Sequence, residues 1–255
     1  MEKFHWIKEI VEGAFQLQHK YPQFYQSSLQ HYLSYYRFQI SHFHEYRCGY
    51  EKVQNKKIFY QFFINKEAVH TVILVHGYLD HSGGLSRTIN YLLCKNINVI
   101  TVDLPGHGFS EGEEGGIAHF NDYISPVQIA NELASIYLKG TMIHGVGHST
   151  GGAIIFHAAS EKRINVEKLA LIAPLYYPYK WNVIRRTYHL FQNIVSDRKR
   201  LFKKNSSDEV YYQFLKNDPL QGRILKVDWL HALEEWQKEF QNCHIVNIPV
   251  YILQG

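Results

Sequence analysis

The sequence predicts an α/β fold: a mostly parallel sheet flanked by helices, with an inserted helical cap late in the chain. Three observations predict it. Short runs of β-branched and other apolar residues recur after residue 70, at Thr71–Val75, Asn98–Val102, Lys168–Ile172 and Ile248–Leu253, and runs of that kind are strands buried on both faces. Stretches long enough for helices separate them, and strand–helix alternation leads to parallel pairing. With 255 residues, 45% hydrophobic and 20% charged, the chain can bury a sizeable core, which excludes a disordered chain.

Residues 1–44 read as an N-terminal helical segment. Phe4, Ile7, Val11, Ala14 and Phe15 recur at helical spacing in 1–18. Phe24, Leu29, Leu33, Tyr36 and Phe38 do the same in 22–38, where Pro22 suits the first turn. The core proper spans 45–176. It opens with Glu45–Val53 and Lys57–Ile64, rich in aromatic and β-branched residues, and Val53–Lys56 between them predicts an antiparallel hairpin. There follow strand Thr71–Val75, helix Ser86–Lys95, strand Asn98–Val102, and a loop rich in Gly and Glu. A helix near Asp122–Lys139, strand Thr141–His144, a Gly-rich turn, a helix through Ser160 and strand Lys168–Ile172 complete it. Residues 177–243 interrupt the alternation and are a cap, or lid, by position. Trp181, Ile184, Tyr188, Phe191 and Val195 give part of that segment an amphipathic helical face. Residues 244–255 return to the core with strand Ile248–Leu253. No internal repeat or low-complexity linker divides the chain.

Charge is unevenly spread. The net charge is +4, yet Lys180, Arg185, Arg186, Arg198, Lys199, Arg200, Lys203 and Lys204 face a single acid, Asp197, between residues 178 and 204. A basic stretch of this kind can approach an anionic membrane surface or a lipid phosphate, and the competing reading is a solvated face. No nucleic-acid-reading module accompanies it, so nucleic acid is not expected as a partner. No apolar run approaches the roughly 20 residues of a membrane helix, and Met1–Trp6 leads into no apolar signal-peptide region. Cys48, Cys94 and Cys243 are odd in number and far apart, which predicts no disulfide framework and a reducing, cytoplasmic setting. Sixteen histidines are scattered with no HExxH spacing, so no metal site is expected.

The chemistry begins at Gly147-His148-Ser149-Thr150-Gly151, a GxSxG motif between an expected strand and an expected helix. A sharp turn there lifts the Ser149 hydroxyl clear of the backbone, and side chains at 147 and 151 would collide with neighbouring elements. The helix N-terminus offers free N–H groups to a developing oxyanion. Ser149 is the candidate nucleophile, against the plainer reading of a Gly-rich turn with an incidental serine. His76-Gly77-Tyr78 ends the first core strand at the same sheet edge, which makes the Tyr78 N–H a candidate second oxyanion donor beside that of Thr150. His76, Asp103, His107 and His148 read as loop and turn residues rather than bases, with Asp103 accepting backbone N–H bonds.

The HGYLDHSGG, DLPGHGFSEGEE and GHSTGG segments, in this order and spacing, resemble the α/β-hydrolase superfamily, and within it the monoacylglycerol lipase, lysophospholipase and serine-aminopeptidase-like group. Phe214–Leu220 (FLKNDPL), Trp229–Leu233 and Trp236 resemble its bacterial lysophospholipase-like members. The resemblance covers about residues 45–255. It implies an α/β-hydrolase fold, Ser149 as nucleophile, an oxyanion hole from the Tyr78 and Thr150 N–H groups, and a cap over an acyl pocket at 177–243. The implied reaction is hydrolysis of lipid-like carboxylic esters through an acyl-enzyme. No cofactor is implied, because this chemistry needs none.

In that group the catalytic acid follows the strand corresponding to Ile248–Leu253, and the catalytic histidine follows one further strand. The sequence ends at Gly255, before both positions, and the last strand and closing helix of the fold are missing from it. A serine hydroxyl is a weak nucleophile without an adjacent base, and loss of the base has cost a serine hydrolase roughly 10⁶-fold in turnover. The 255-residue chain alone is therefore expected to be inactive. Three readings stay open: a piece of a longer hydrolase, a short form that binds a ligand or partner without catalysis, or a site completed by a histidine and acid inside the 255 residues. Acyl length, head group and oligomeric state are not legible, although an exposed sheet edge favours self-association.

Overall fold

In a computed structural model the buried runs become the strands of one seven-stranded sheet. The structure describes residues 4–13, 17, 23–191, 197–200, 208–241 and 243–254. The strands are β1 (Glu45–Val53), β2 (Lys56–Ile64), β3 (His70–Val75), β4 (Ile97–Val102), β5 (Met142–His148), β6 (Leu169–Ile172) and, after a two-stranded sheet of β7 (Arg198–Lys199) and β8 (Ile224–Leu225), β9 (Val250–Leu253). The order across the main sheet is β1-β2-β4-β3-β5-β6-β9. β1 and β2 form the expected hairpin, with Val53 opposite Lys56. β2 joins β4 antiparallel, and every later pair is parallel.

The helices are α1 (His5–Glu12), α2 (Gln23–Tyr35), α3 (Ser86–Cys94), α4 (Ile124–Tyr137), α5 (Thr150–Ser160), α6 (Trp181–Phe191), α7 (Glu209–Asn217) and α8 (Val227–Phe240). Strand alternation sorts the core onto the two faces of the sheet. Phe59, Phe63, Val72, Leu74 and Val99 pack with Ile10, Leu29, Tyr32 and Ile89 of α1–α3. Tyr60, Phe62, Ile73, Val75 and Ile100 pack with Val127, Ala130, Ile154 and Ile155 of α4 and α5, and with Trp229, Leu233 and Trp236 of α8. The insertion between β6 and β9 is thus rooted in the same core as α4 and α5.

Several boundaries depart from the sequence expectation for physical reasons. The second helix stops at Tyr35, not Phe38. Arg37 turns left-handed (φ 58°), and the Arg37 and Phe38 N–H groups donate back to Ser34 and Leu33, a helix-ending hydrogen-bond pattern that buries Phe38. β5 runs on to His148, through the glycines expected to form a turn. A Cβ at Gly145 would lie 2.6 Å from Leu169 and 2.7 Å from Ile155, so close packing of β6 and α5 demands glycine inside the strand. The helix expected from Asp122 starts as a single tight turn, Phe120–Tyr123, before α4. The β7–β8 pair has no sequence counterpart, since two-residue strands show no periodicity. Ala14, Phe15, Pro22, Val195 and the side chain of Phe24 lie outside the described residues. Among the described residues no helix is long and apolar enough to cross a membrane.

Candidate active site

Ser149 sits between the last residue of β5 and the first of α5, with φ 52° and ψ −118°. A non-glycine residue in this region is strained and persists only where its surroundings fix it. They do so here. Ser149 N–H donates to Ile172 O (2.9 Å), and Ser149 O accepts from Leu175 N–H (3.0 Å) and Ala153 N–H (3.2 Å). The flanking glycines allow the approach: a Cβ on Gly147 would stand 2.4 Å from Gly151 O, and one on Gly151 would stand 2.3 Å from Val75 O. Thr150 is buried at the start of α5, where helix N–H groups lack intrahelical partners.

The loop after β3 lies against this turn. A Cβ on Gly77 would be 3.3 Å from the Ser149 Cβ. His76 is wholly buried. Leu104 N–H donates to its Nε2 (2.9 Å), so Nδ1 carries the proton and donates to Gly77 O (2.8 Å). Burial holds the ring neutral, with its pKa pushed down to about 3 against the opposing pull of the Gly77 carbonyl. His107 is similarly pinned, Nδ1 to Pro105 O at 2.9 Å, and burial takes it to about 3. Asp103 accepts from Ser82 N–H (2.8 Å) and Phe109 N–H (2.9 Å). These residues build loops, as their turn context implies, and among the described residues none bonds the Ser149 hydroxyl.

Ser149, Thr150 and Tyr78 come together on one wall of a cavity of about 590 Å³. The opposite wall comes from the insertion, chiefly Ile184 and Tyr188 of α6 and Trp229 and Leu230 of α8. The Trp229 ring stacks on Tyr78 at 3.9 Å and 14°. The Tyr78 hydroxyl donates to Gly115 O (2.9 Å) and accepts from Lys226 N–H (3.2 Å), and burial raises its pKa. Among the described residues, the cations Arg198 and Lys226 line the cavity. The Lys226 ammonium is held by Asp197 (2.5 Å) and Glu113. Tyr78's ring partner and the Lys226–Glu113 pair are contributions that no local sequence pattern announced, because they join positions more than 100 residues apart. Among the described residues no group of three or more His, Cys, Asp or Glu side chains is placed to hold a metal ion.

A mostly parallel sheet that delivers a serine on a strained strand-to-helix turn, at the edge where the neighbouring strand's loop also arrives, is the arrangement of an α/β-hydrolase. Residues 66–255 match the model of the serine aminopeptidase, S33, family, and the chain belongs to that family. It is 31% identical over 105 residues to human monoglyceride lipase, a stretch covering 41% of this chain and 34% of that protein. It is 32% identical over 102 residues to a pimeloyl-[acyl-carrier protein] methyl ester esterase of Xanthomonas campestris, covering 40% of this chain and 36% of that one. The matches span about a third of the length of these curated relatives. Among solved structures, a soluble variant of the Saccharomyces cerevisiae monoglyceride lipase shares the fold with a TM-score of 0.67 at 20% identity, over 81% of this chain and 75% of that one. The Paleococcus ferrophilus monoacylglycerol lipase does so with a TM-score of 0.61 at 20% identity, over 78% and 77%.

Proposed function

We propose that the protein cleaves carboxylic esters of lipid-like molecules through an acyl-enzyme on Ser149, as a lysophospholipase or monoacylglycerol lipase does. The observation that carries this is the placement of Ser149 on a strained turn at the wall of a largely apolar cavity of about 590 Å³, a size typical of small-molecule sites. The Ser149 oxygen attacks the ester carbonyl and gives up its proton to a base. The carbonyl oxygen becomes an oxyanion facing the Tyr78 and Thr150 N–H groups. The tetrahedral species collapses, the alcohol leaves with the proton, and water then hydrolyses the acyl-serine. The base is a histidine paired with a carboxylate, as the family resemblance implies; neither His76 nor His107 is that histidine, because among the described residues neither is hydrogen-bonded to the Ser149 hydroxyl. Residues 177–243 act as the cap over the acyl chain, and their basic stretch touches anionic membrane at the periphery.

The test is hydrolysis of a medium-chain monoacylglycerol and of a lysophospholipid by the protein as it occurs in its source, against Ser149→Ala. Turnover is expected to fall by about a thousandfold or more in the variant. Equal turnover in both forms would overturn the reading. Acyl-chain binding in both forms with turnover in neither would favour a binding protein on the same fold.

A further inference from the structure

Four consecutive residues of the loop after β3, Tyr78 to His81, are each hydrogen-bonded to the insertion. The Tyr78 hydroxyl accepts from Lys226 N–H (3.2 Å). Leu79 O accepts from Gly222 N–H (3.0 Å) and from the Arg200 guanidinium (3.1 Å), which also reaches Gly222 O (3.3 Å). Asp80 Oδ1 accepts from the Gln221 amide (3.2 Å). His81 Nε2 meets Asp218 Oδ2 at 2.9 Å with both side chains fully buried, and Asp218 Oδ1 also takes the Tyr36 hydroxyl (2.7 Å) and Leu220 N–H (2.9 Å).

What this clamp holds is an unfavourable turn. Asp80 N–H donates to Gly77 O (3.1 Å), closing a four-residue turn whose third residue, Leu79, has φ 61°. That position ordinarily goes to glycine, because a Cβ there costs free energy. The turn matters because Gly77 C=O and Tyr78 N–H belong to one planar peptide unit and point in opposite directions. Whatever fixes the Gly77 carbonyl therefore aims the Tyr78 N–H. His76 fixes it from the core side, and the Asp80 amide fixes it from the turn.

We infer that Asp218 and Gly222, in the insertion, are positioning residues for the oxyanion donor at Tyr78: they hold Leu79 left-handed and so keep the donor aimed at the Ser149 adduct. The catalytic part of this rests on the ester-hydrolase reading above, whereas the coupling of insertion to turn does not. Gly222 is the sharpest probe, because a Cβ there would stand 2.7 Å from Leu79 Cδ2 and 3.1 Å from Leu79 Cα.

The experiment measures amide hydrogen exchange across residues 77–82 and ester turnover, in the wild type as it occurs in its source and in its Asp218→Asn, Gly222→Ala and double Leu79→Gly/Asp218→Asn variants, each checked for a cooperative melt. The Asp80 amide is expected to exchange about tenfold faster in each single variant, and kcat to fall about tenfold with KM little changed. Leu79→Gly is expected to restore protection in the double variant, since glycine is left-handed at no cost, a rescue that a merely structural role for Asp218 would not give. Unchanged exchange in both single variants overturns the inference, as does faster exchange with unchanged kcat. A wild type with no ester turnover sinks the hydrolase reading instead, and the exchange result alone then decides whether the insertion holds the turn.

Discussion

Gly151 has no room for a methyl group. A Cβ there would lie 2.3 Å from Val75 O and 2.5 Å from His76 O, both backbone atoms, so neither neighbour can swing aside. Gly151→Ala must therefore lift the start of α5 off the end of β3. It is expected to lower the unfolding free energy by about 1–3 kcal/mol, read by urea denaturation, and to move Thr150 from its place beside Tyr78. A variant as stable as the wild type would show that the turn tolerates displacement. The crowding itself was legible in the sequence, because glycines on both sides of a serine between strand and helix mark a turn too tight for side chains. The roles of His76 and Asp103 as loop-builders were legible too, from their neighbouring Gly and Pro residues. The left-handed Leu79 was not, since nothing about a leucine in a loop signals a positive φ and its cause lies at Gly222, far along the chain.

Helix α8 adds a ring contact to the hydrogen bonds that tie the insertion to the loop after β3. Its Trp229 is 6% exposed and lies flat on Tyr78, and Trp236 on the next turns stacks on Phe120 at 4.6 Å and donates from Nε1 to His157 Nδ1 (2.8 Å). Trp229→Ala removes the whole ring and is expected to cost about 3–5 kcal/mol. Trp229→Phe keeps an aromatic face against Tyr78 and is expected to cost well under half of that, about 1.5 kcal/mol or less. Equal losses in the two, measured by denaturation, would show that the stacking contributes nothing beyond filled volume near the ring edge. At this scale the sequence spoke clearly for the β1–β2 hairpin, β3, β4 and α3, where period or turn chemistry is strong. It misplaced the end of β5 because glycine normally breaks a strand, and here Leu169 and Ile155 leave space for nothing larger. It missed β7 and β8 because their pairing is decided by the folded insertion rather than by their own residues.

The molecule is assembled from three parts of the chain that meet at one buried ion pair: Tyr36 after α2, His81 after β3, and Asp218 after α7. Burial disfavours the charged form of His81, but Asp218 beside it, with Asp80 and Asp103 behind, raises the ring's pKa from 6.5 to about 9. Nε2–H faces Asp218 in either protonation state, and Gly83 N–H donates to Nδ1 (3.1 Å) when the ring is neutral. Burial alone would raise the Asp218 carboxyl, and His81 and the Tyr36 hydroxyl more than reverse it, to below 3.8. The two shifts have opposite consequences for folding. A raised His81 contributes stability in full below its unfolded value of 6.5 and loses it as pH climbs toward 9. A lowered Asp218 contributes above 3.8 and loses its share only as pH falls below that value. The pair therefore stabilises most between 3.8 and 6.5 and fades on the alkaline side. For a chain of this size 1 kcal/mol moves the melting temperature by about 2–4 °C, so the wild type is expected to lose about 5 °C or more between pH 6.5 and 9. Asp218→Asn removes the carboxylate that raises His81 most, and that alkaline slope should flatten in the variant. Parallel slopes in the two proteins would mean that the three parts are joined by shape and neutral hydrogen bonds, with the charge on His81 contributing nothing to holding the insertion over the cavity.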